Sequence, residues 1–302
     1  MPLPRDIDPH AFDAWHDDPS RWPPEIAEIA AAHGAEEIEP IGVGTVFVAR
    51  MPPRRILKVY PPFLADHHAY EVAVLPLLHG ALAVPTPRLL ALGERDGWPY
   101  LVMSELRGTM LADVWPALEE PRRLALLREI GRLCTRVHAL PLGPLAPLAA
   151  QWPAFIAAQR ERCEARQRRT GLPAHLIAAL PAFLDGDVPG GPPALLTGEY
   201  TPWNLMVQDG ALCGMFDFGD GLVGPRAYDW LGPLCFYAAG HAPRVAALFE
   251  GLGVRPTPEL RLQLLRLMLL HRYCNLPVQI AHEAWQRCGS FEELAVTIWP
   301  LA

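Results

Sequence analysis

Residues Leu195 to Gly221 read LLTGEYTPWNLMVQDGALCGMFDFGDG. A carboxylate, Glu199, is followed five positions on by an amide, Asn204, and thirteen positions later by a second carboxylate, Asp217. The stretch supplies two short strands. In Cys213-Gly214-Met215-Phe216-Asp217-Phe218-Gly219-Asp220 an apolar strand ends in a carboxylate and a glycine, a shape that presents a metal ligand at its tip. A turn without a ligand is the plain alternative for these residues taken singly.

The order fits phosphoryl transfer from a nucleotide. That chemistry asks a protein to clamp phosphates, neutralise their charge and aim an acceptor hydroxyl. Asn204 and Asp217 are candidate magnesium ligands, because a hard cation bridging phosphates takes carboxylate and amide oxygens. Glu199 is the candidate that orients the acceptor hydroxyl and accepts its proton.

The remaining parts are sought upstream. Gly42-Val43-Gly44-Thr45 sits where a tight turn would let backbone approach phosphates, although such a turn is as often purely structural. Lys58 lies among β-formers in Ile56-Leu57-Lys58-Val59-Tyr60 and is the only lysine in the chain. A lysine in an apolar strand needs a partner for its charge or a route to water. Glu71 on the following helix is the first candidate partner, with Asp66 as the fallback and a plain surface role as the alternative.

The rest of the chain fixes the setting. It has 302 residues, 51% hydrophobic and 20% charged, with a net charge of −7, which excludes a disordered chain and argues against a general nucleic-acid binder. Six cysteines without CxxC spacing read as reduced core thiols. The N-terminus lacks a basic start with an apolar run, and no segment is long and apolar enough to span a bilayer, so the reading is a soluble cytoplasmic protein.

A helix is expected around Pro24–His33, strands over Ile38–Met51 and Arg54–Tyr60, a helix over Asp66–Leu78, and two strands around Asp96–Gly97. Beyond Gly108 the texture is helical. Pro121–Leu140 places Leu124, Leu127, Ile130, Cys134 and Val137 on one face. Trp152–Arg169 carries Arg160, Arg162, Arg166, Arg168 and Arg169, read as a solvated face, with anion contact as the alternative. The expected class is α+β, with a β-rich N-terminal part over 1–105 and a helical C-terminal part over 106–302.

At this point the residues resemble the aminoglycoside phosphotransferase family, whose fold is protein-kinase-like and bilobal. The family pattern of HGD, four residues and N, then DFG, then GDPxYD finds its places at Thr197-Gly198-Glu199, Asn204, Asp217-Phe218-Gly219 and Gly224-Pro225-Arg226-Ala227-Tyr228-Asp229. Trp98–Thr109, Glu129–Leu142 and Glu292–Pro300 are similar to the hygromycin B phosphotransferase branch.

The resemblance implies an antiparallel sheet lobe with one main helix, joined to a larger helical lobe. It further implies ATP with its adenine against Met103, Ser104, Glu105 and Leu106, phosphates met by Lys58, Mg2+ held by Asn204 and Asp217, and a catalytic loop braced by Asp229. Two positions depart from the pattern: Thr197 stands for the usual histidine and Glu199 for the usual aspartate. Glutamate keeps the charge with a longer reach, and because Lys58, Asn204 and Asp217 are all present the chain reads as an active enzyme.

The acceptor is expected to be a small-molecule alcohol, an aminoglycoside or hygromycin-like amino sugar first. Another sugar, nucleoside or secondary metabolite is the alternative, and a nucleotide-binding pseudokinase the rival of a different class. Candidate acceptor contacts are Tyr200, Trp203, Asp220, His271, Tyr273 and Glu283, each with an ordinary packing alternative. The last third has no dense acidic run, which speaks against a strongly cationic acceptor.

Overall fold

The computed structural model describes residues 3–41, 44–198 and 200–301. The chain divides into two compact units, Met1–Gly108 with Gly214–Gly221, and Thr109–Cys213 with Leu222–Ala302.

The first unit contains α1 (Pro9–His16), α2 (Pro24–Ala32), β1 (Glu39–Pro40), β2 (Phe47–Met51), β3 (Arg55–Val59), α3 (Ala65–Leu78), β4 (Leu89–Arg95) and β5 (Trp98–Ser104). The strands form one antiparallel sheet in the order β1-β2-β3-β5-β4. In a strand, successive side chains point to opposite faces. Leu57 and Val59 of β3 therefore enter a core with Phe47, Trp98 and Val102, closed by Phe12 of α1 and Ile26 and Ile29 of α2. Lys58, between them, points to the other face, where α3 packs.

Helix α1 departs from the sequence reading, which placed no element there. Its eight residues are too few for a helical period to stand out, but Asp8 caps it by accepting the Ala11 N–H and Pro9 opens it. The segment before it is tied in as well: the Leu3 N–H donates to Asp96 Oδ2 at 3.1 Å and the Trp98 indole donates to the Pro4 carbonyl at 2.9 Å. Phe12 is 2% exposed and meets Phe47 edge-on at 5.1 Å. Truncating such a ring costs about 3–5 kcal/mol. Phe12→Ala is expected to lower stability by that amount in urea unfolding, whereas a loss below about 1 kcal/mol would mean that α1 is only draped on the sheet.

The second unit opens with β6 (Thr109–Met110) and α4 (Leu111–Val114), followed by α5 (Glu120–His138), α6 (Trp152–Arg169) and α7 (Ala174–Leu184). Four strands come next: β7 (Pro193–Leu196), β8 (Leu205–Gln208), β9 (Ala211–Met215), whose last two residues belong to the first unit, and β10 (Leu222–Pro225). Strands β7 and β10 pair with each other, and β6, β8 and β9 form a second small sheet. After β10 the chain is helical: α8 (Leu231–Pro233), a π-helical turn at Leu234–Ala238, α9 (Ala242–Leu252), α10 (Pro258–Leu270), α11 (Leu276–Gln279) and α12 (Phe291–Ile298).

Helices α5 and α9 cross with backbones in contact. A Cβ on Gly131 would lie 2.6 Å from the Leu248 carbonyl oxygen, and one on Gly251 would lie 2.4 Å from that of Arg128. Leu126, Leu127, Ile130, Leu133, Cys134 and Val137 fill the buried side of α5, while Leu124 is only half-buried. On helix α6, Arg162, Arg168 and Arg169 are exposed as a solvated face would have them, and Arg166 departs from that reading. Arg166 is 7% exposed and donates to Gln159 Oε1 and the Leu269 carbonyl, because α6 packs on α10 along that side. Arg168 does lie on the surface, paired with Glu164 one turn earlier.

Candidate active site

In the first unit the site is built on two neighbouring elements, β3 and α3, together with the segment following β9. Lys58 is 4% exposed, and its Nζ lies 2.6 Å from Glu71 Oε2 and 2.7 Å from Asp217 Oδ1. Glu71 is fully buried and has two further donors: the Tyr60 hydroxyl on Oε2 and the Phe218 N–H on Oε1 at 3.3 Å. Tyr60 stands two residues after Lys58 and so shares its face of the sheet.

Burial alone would pull the Lys58 ammonium down, but the charges of Asp217 and Glu71 outweigh it and hold the lysine well above its ordinary value. Burial and the adjacent Glu71 charge likewise push the Tyr60 hydroxyl well up, so it stays a neutral donor. The outcome is a lysine that is charged at every working pH and fixed from both sides.

Asp217 has a left-handed backbone, φ 67°, which for a residue with a Cβ costs about 1 kcal/mol or more and persists only where neighbours hold it. Its side chain remains 45% exposed although Lys58 takes Oδ1. Asp220, three residues on, has its Oδ1 3.3 Å from Nδ1 of His67 on α3.

In the second unit the loop between β7 and β8 is pinned at both ends. Strand β7 pairs with β10, and β8 pairs with β6 through Met206–Met110 and Val207–Thr109. Between these anchors the Asp229 carboxylate, 2% exposed, accepts the Thr197 N–H at 3.1 Å, the Gly198 N–H at 2.9 Å and Nε2–H of His138 at 2.9 Å. Gly198 has φ 76°, a conformation that glycine reaches without steric cost. The Ala112 N–H donates to the Pro202 carbonyl and the Asn204 N–H to that of Thr201, closing the turn that carries Asn204.

The remaining candidates fall into groups. Glu199 and Gly42 lie outside the described residues. Gly44 is exposed with φ 124°, and Thr45 beside it is exposed. Met103 is buried in β5, and Ser104 Oγ accepts the Arg88 N–H. The Glu105 carboxylate is paired with Arg50 at 2.6 Å, and Leu106 is half-buried. Trp203 is 48% exposed and meets Phe236 edge-on at 5.2 Å. Tyr273 is 43% exposed beneath the Arg272 guanidinium, and Glu283 is exposed on a short 3-10 turn.

Tyr200 and His271, two of the candidate acceptor contacts, are both buried. Tyr200 is 1% exposed, its ring packed under the loop beside Cys134 and Thr197. His271 is buried and stacks on Tyr228 with ring centroids 4.5 Å apart.

Burial, with Arg272 and Arg166 nearby, pushes His271 down to about 3. An unfolded histidine titrates near 6.5, so between these values the unfolded chain binds the extra proton and stability falls as pH is lowered. His271→Phe keeps a ring on Tyr228 and removes the titration. The variant is expected to gain about 2 kcal/mol on wild type between pH 7 and pH 5 in urea unfolding, on top of a pH-independent offset for the lost Tyr273 N–H contact. A difference that does not change with pH would show that His271 titrates in the folded chain as it does in the unfolded one.

Three residues of this arrangement were not singled out from the sequence. Tyr60 was signalled by its i+2 spacing from Lys58, and His67 by standing one helical turn before Glu71. His138 had no local signal, since it meets Asp229 across 91 positions.

The sequence model of the phosphotransferase enzyme family matches residues 38–264, and the chain belongs to that family; it is a small-molecule kinase. Its fold is similar to that of the aminoglycoside phosphotransferase APH(2'')-IIa in a ternary complex with streptomycin and ATP. The two are 16% identical over 81% of this chain and 89% of that one, with a TM-score of 0.62. A thermostable mutant of APH(4)-Ia, in a ternary complex with ADP and hygromycin B, is 18% identical over 82% and 89% of the two chains, with a TM-score of 0.56. APH(2'')-Ib bound to ADP is 14% identical over 76% and 81%, with a TM-score of 0.55. At these identities the likeness is one of fold. No helix among the described residues is long and apolar enough to cross a membrane.

Proposed function

We propose that the chain moves the γ-phosphate of ATP to a hydroxyl of a small molecule, with aminoglycoside-like amino sugars as the first acceptor class. The observation that carries this reading is the single lysine of the chain, buried and held between Glu71 and Asp217. In this reading Lys58 meets the phosphates, the Gly42–Thr45 stretch is the segment that would cover them, and the adenine lies against Met103–Leu106.

Asp217 of the first unit and Asn204 of the second are each of a type that a magnesium ion arriving with the nucleotide would take as a ligand. No group of three or more His, Cys, Asp or Glu side chains among the described residues could cage a metal alone. Magnesium bound with phosphates needs only one or two protein carboxylates or amides beside the phosphate oxygens. When bound, the ion neutralises charge building on the phosphoryl oxygens. The protein holds Lys58 charged, orients the acceptor through the braced loop, and takes the hydroxyl proton on the Glu199 carboxylate. Glu199 follows directly on the two backbone amides that Asp229 fixes.

A less cationic acceptor is the second reading, favoured by the exposed rings of Trp203 and Tyr273, which offer stacking faces. Acceptor-dependent ADP release across aminoglycosides, simple sugars and nucleosides separates the two. Release with an aminoglycoside supports the first. Release only with sugars or nucleosides moves the acceptor to the second. ATP binding with no acceptor-dependent release would overturn both in favour of a nucleotide-binding regulatory protein.

A further inference from the structure

We propose that His67 is a positioning residue for the metal-ligand segment: by holding Asp220 it fixes the turn that presents Asp217 and so sets affinity for the nucleotide's divalent cation. The inference rests on the reading of Asp217 as a magnesium ligand.

Helix α3 grips the segment 217–220 at successive points. Glu71 holds Asp217 through Lys58 and takes the Phe218 N–H directly. A Cβ built on Gly219 would lie 3.5 Å from both Glu71 Oε2 and His67 Cβ, so the turn runs in contact with the helix. Asp220 then meets His67 Nδ1 at 3.3 Å, both side chains being sheltered, at 15% and 18% exposure. Residues 67 and 71 are one turn apart, and i,i+4 side chains share a helix face. One face of α3 therefore supplies the Glu71 and His67 holds, while Lys58 reaches Asp217 from β3.

The His67–Asp220 contact involves neither Lys58 nor the Asp217 carboxylate, the groups that a cation and phosphates would engage. Partners that orient a metal ligand from outside typically set about 10–100-fold of its affinity.

The test measures Mn2+ binding to the full-length protein in the presence of ADP, by electron paramagnetic resonance. ADP affinity without metal and the Tm are followed in parallel. His67→Leu is expected to weaken Mn2+ binding about tenfold while metal-free ADP binding and Tm stay near wild type. His67→Gln, which keeps an N–H donor, is expected to restore most of the affinity. Asp220→Asn should match His67→Leu, and the double variant should be no worse than either. Wild-type Mn2+ affinity in His67→Leu, or an equal loss in His67→Gln, overturns the proposal. If Asp217→Asn binds Mn2+ as wild type does, the metal reading itself fails, and the proposal with it.

Discussion

Asp217→Asn is expected to lower phosphoryl transfer by about 10³-fold while leaving the folded protein nearly as stable as wild type. The two effects separate because of where the charge sits. The side chain is 45% exposed and its Oδ1 accepts from Lys58, a contact that an asparagine carbonyl oxygen can retain at 2.7 Å. Backbone strain is not added, since asparagine tolerates φ 67° about as well as aspartate does. What disappears is a formal negative charge at the proposed cation site, where charge stabilisation is worth on the order of 10² to 10³ per group and more when an ion is lost with it. Steady-state kinetics with saturating ATP, and thermal unfolding of both proteins, check the prediction. Transfer within about tenfold of wild type would remove Asp217 from the metal site.

The second large effect is expected at Asp229 and has the opposite character. Its carboxylate is buried and accepts from the amides of Thr197 and Gly198 and from His138. Asp229→Ala leaves two backbone donors and an imidazole without their acceptor. Breaking one side of such a buried charged network costs about 3–5 kcal/mol. Activity should fall too, because the amides precede Glu199, and a misplacement of about 1 Å costs on the order of a hundredfold in rate. Urea unfolding and kcat of the surviving folded fraction are the measurements. A variant of wild-type stability would mean that β7–β10 pairing alone shapes the loop.

Much of this arrangement is legible in the order of the residues. The alternation in Arg55–Val59 separates Leu57 and Val59 from Lys58, and a helix beginning near Asp66 puts Glu71 on the next element within reach of a strand lysine. The family pattern placed Asn204, Asp217 and Asp229. The sequence was silent where contacts depend on distant elements. The segment 214–221 clusters with the first unit. The reason is the Phe218 N–H bond to Glu71, with a second from the Met215 N–H to the Pro85 carbonyl, and neither leaves a local signature. Tyr200 and His271 read as polar groups near an acceptor because sequence shows chemistry, not burial. Both are packed, one under the loop and the other against Tyr228.

Thr197, where the family pattern has histidine, is fully buried, and its N–H donates to Asp229. The position thus serves loop geometry through the backbone, which any residue but proline can supply. His138 of α5 supplies the imidazole that meets the same carboxylate. This leaves the longer carboxylate at 199 as the departure that bears on chemistry.

The most direct measurement follows labelled γ-phosphate from Mg-ATP onto a panel of hygromycin B, other aminoglycosides, simple sugars and nucleosides, with Glu199→Asp and Glu199→Ala beside wild type. The account predicts a labelled product from wild type, reduced by about 10² to 10⁴-fold in Glu199→Ala, the range of general-base assistance. No product from wild type on any acceptor, with transfer gained in Glu199→Asp, would contradict it and show that glutamate at 199 disables the site.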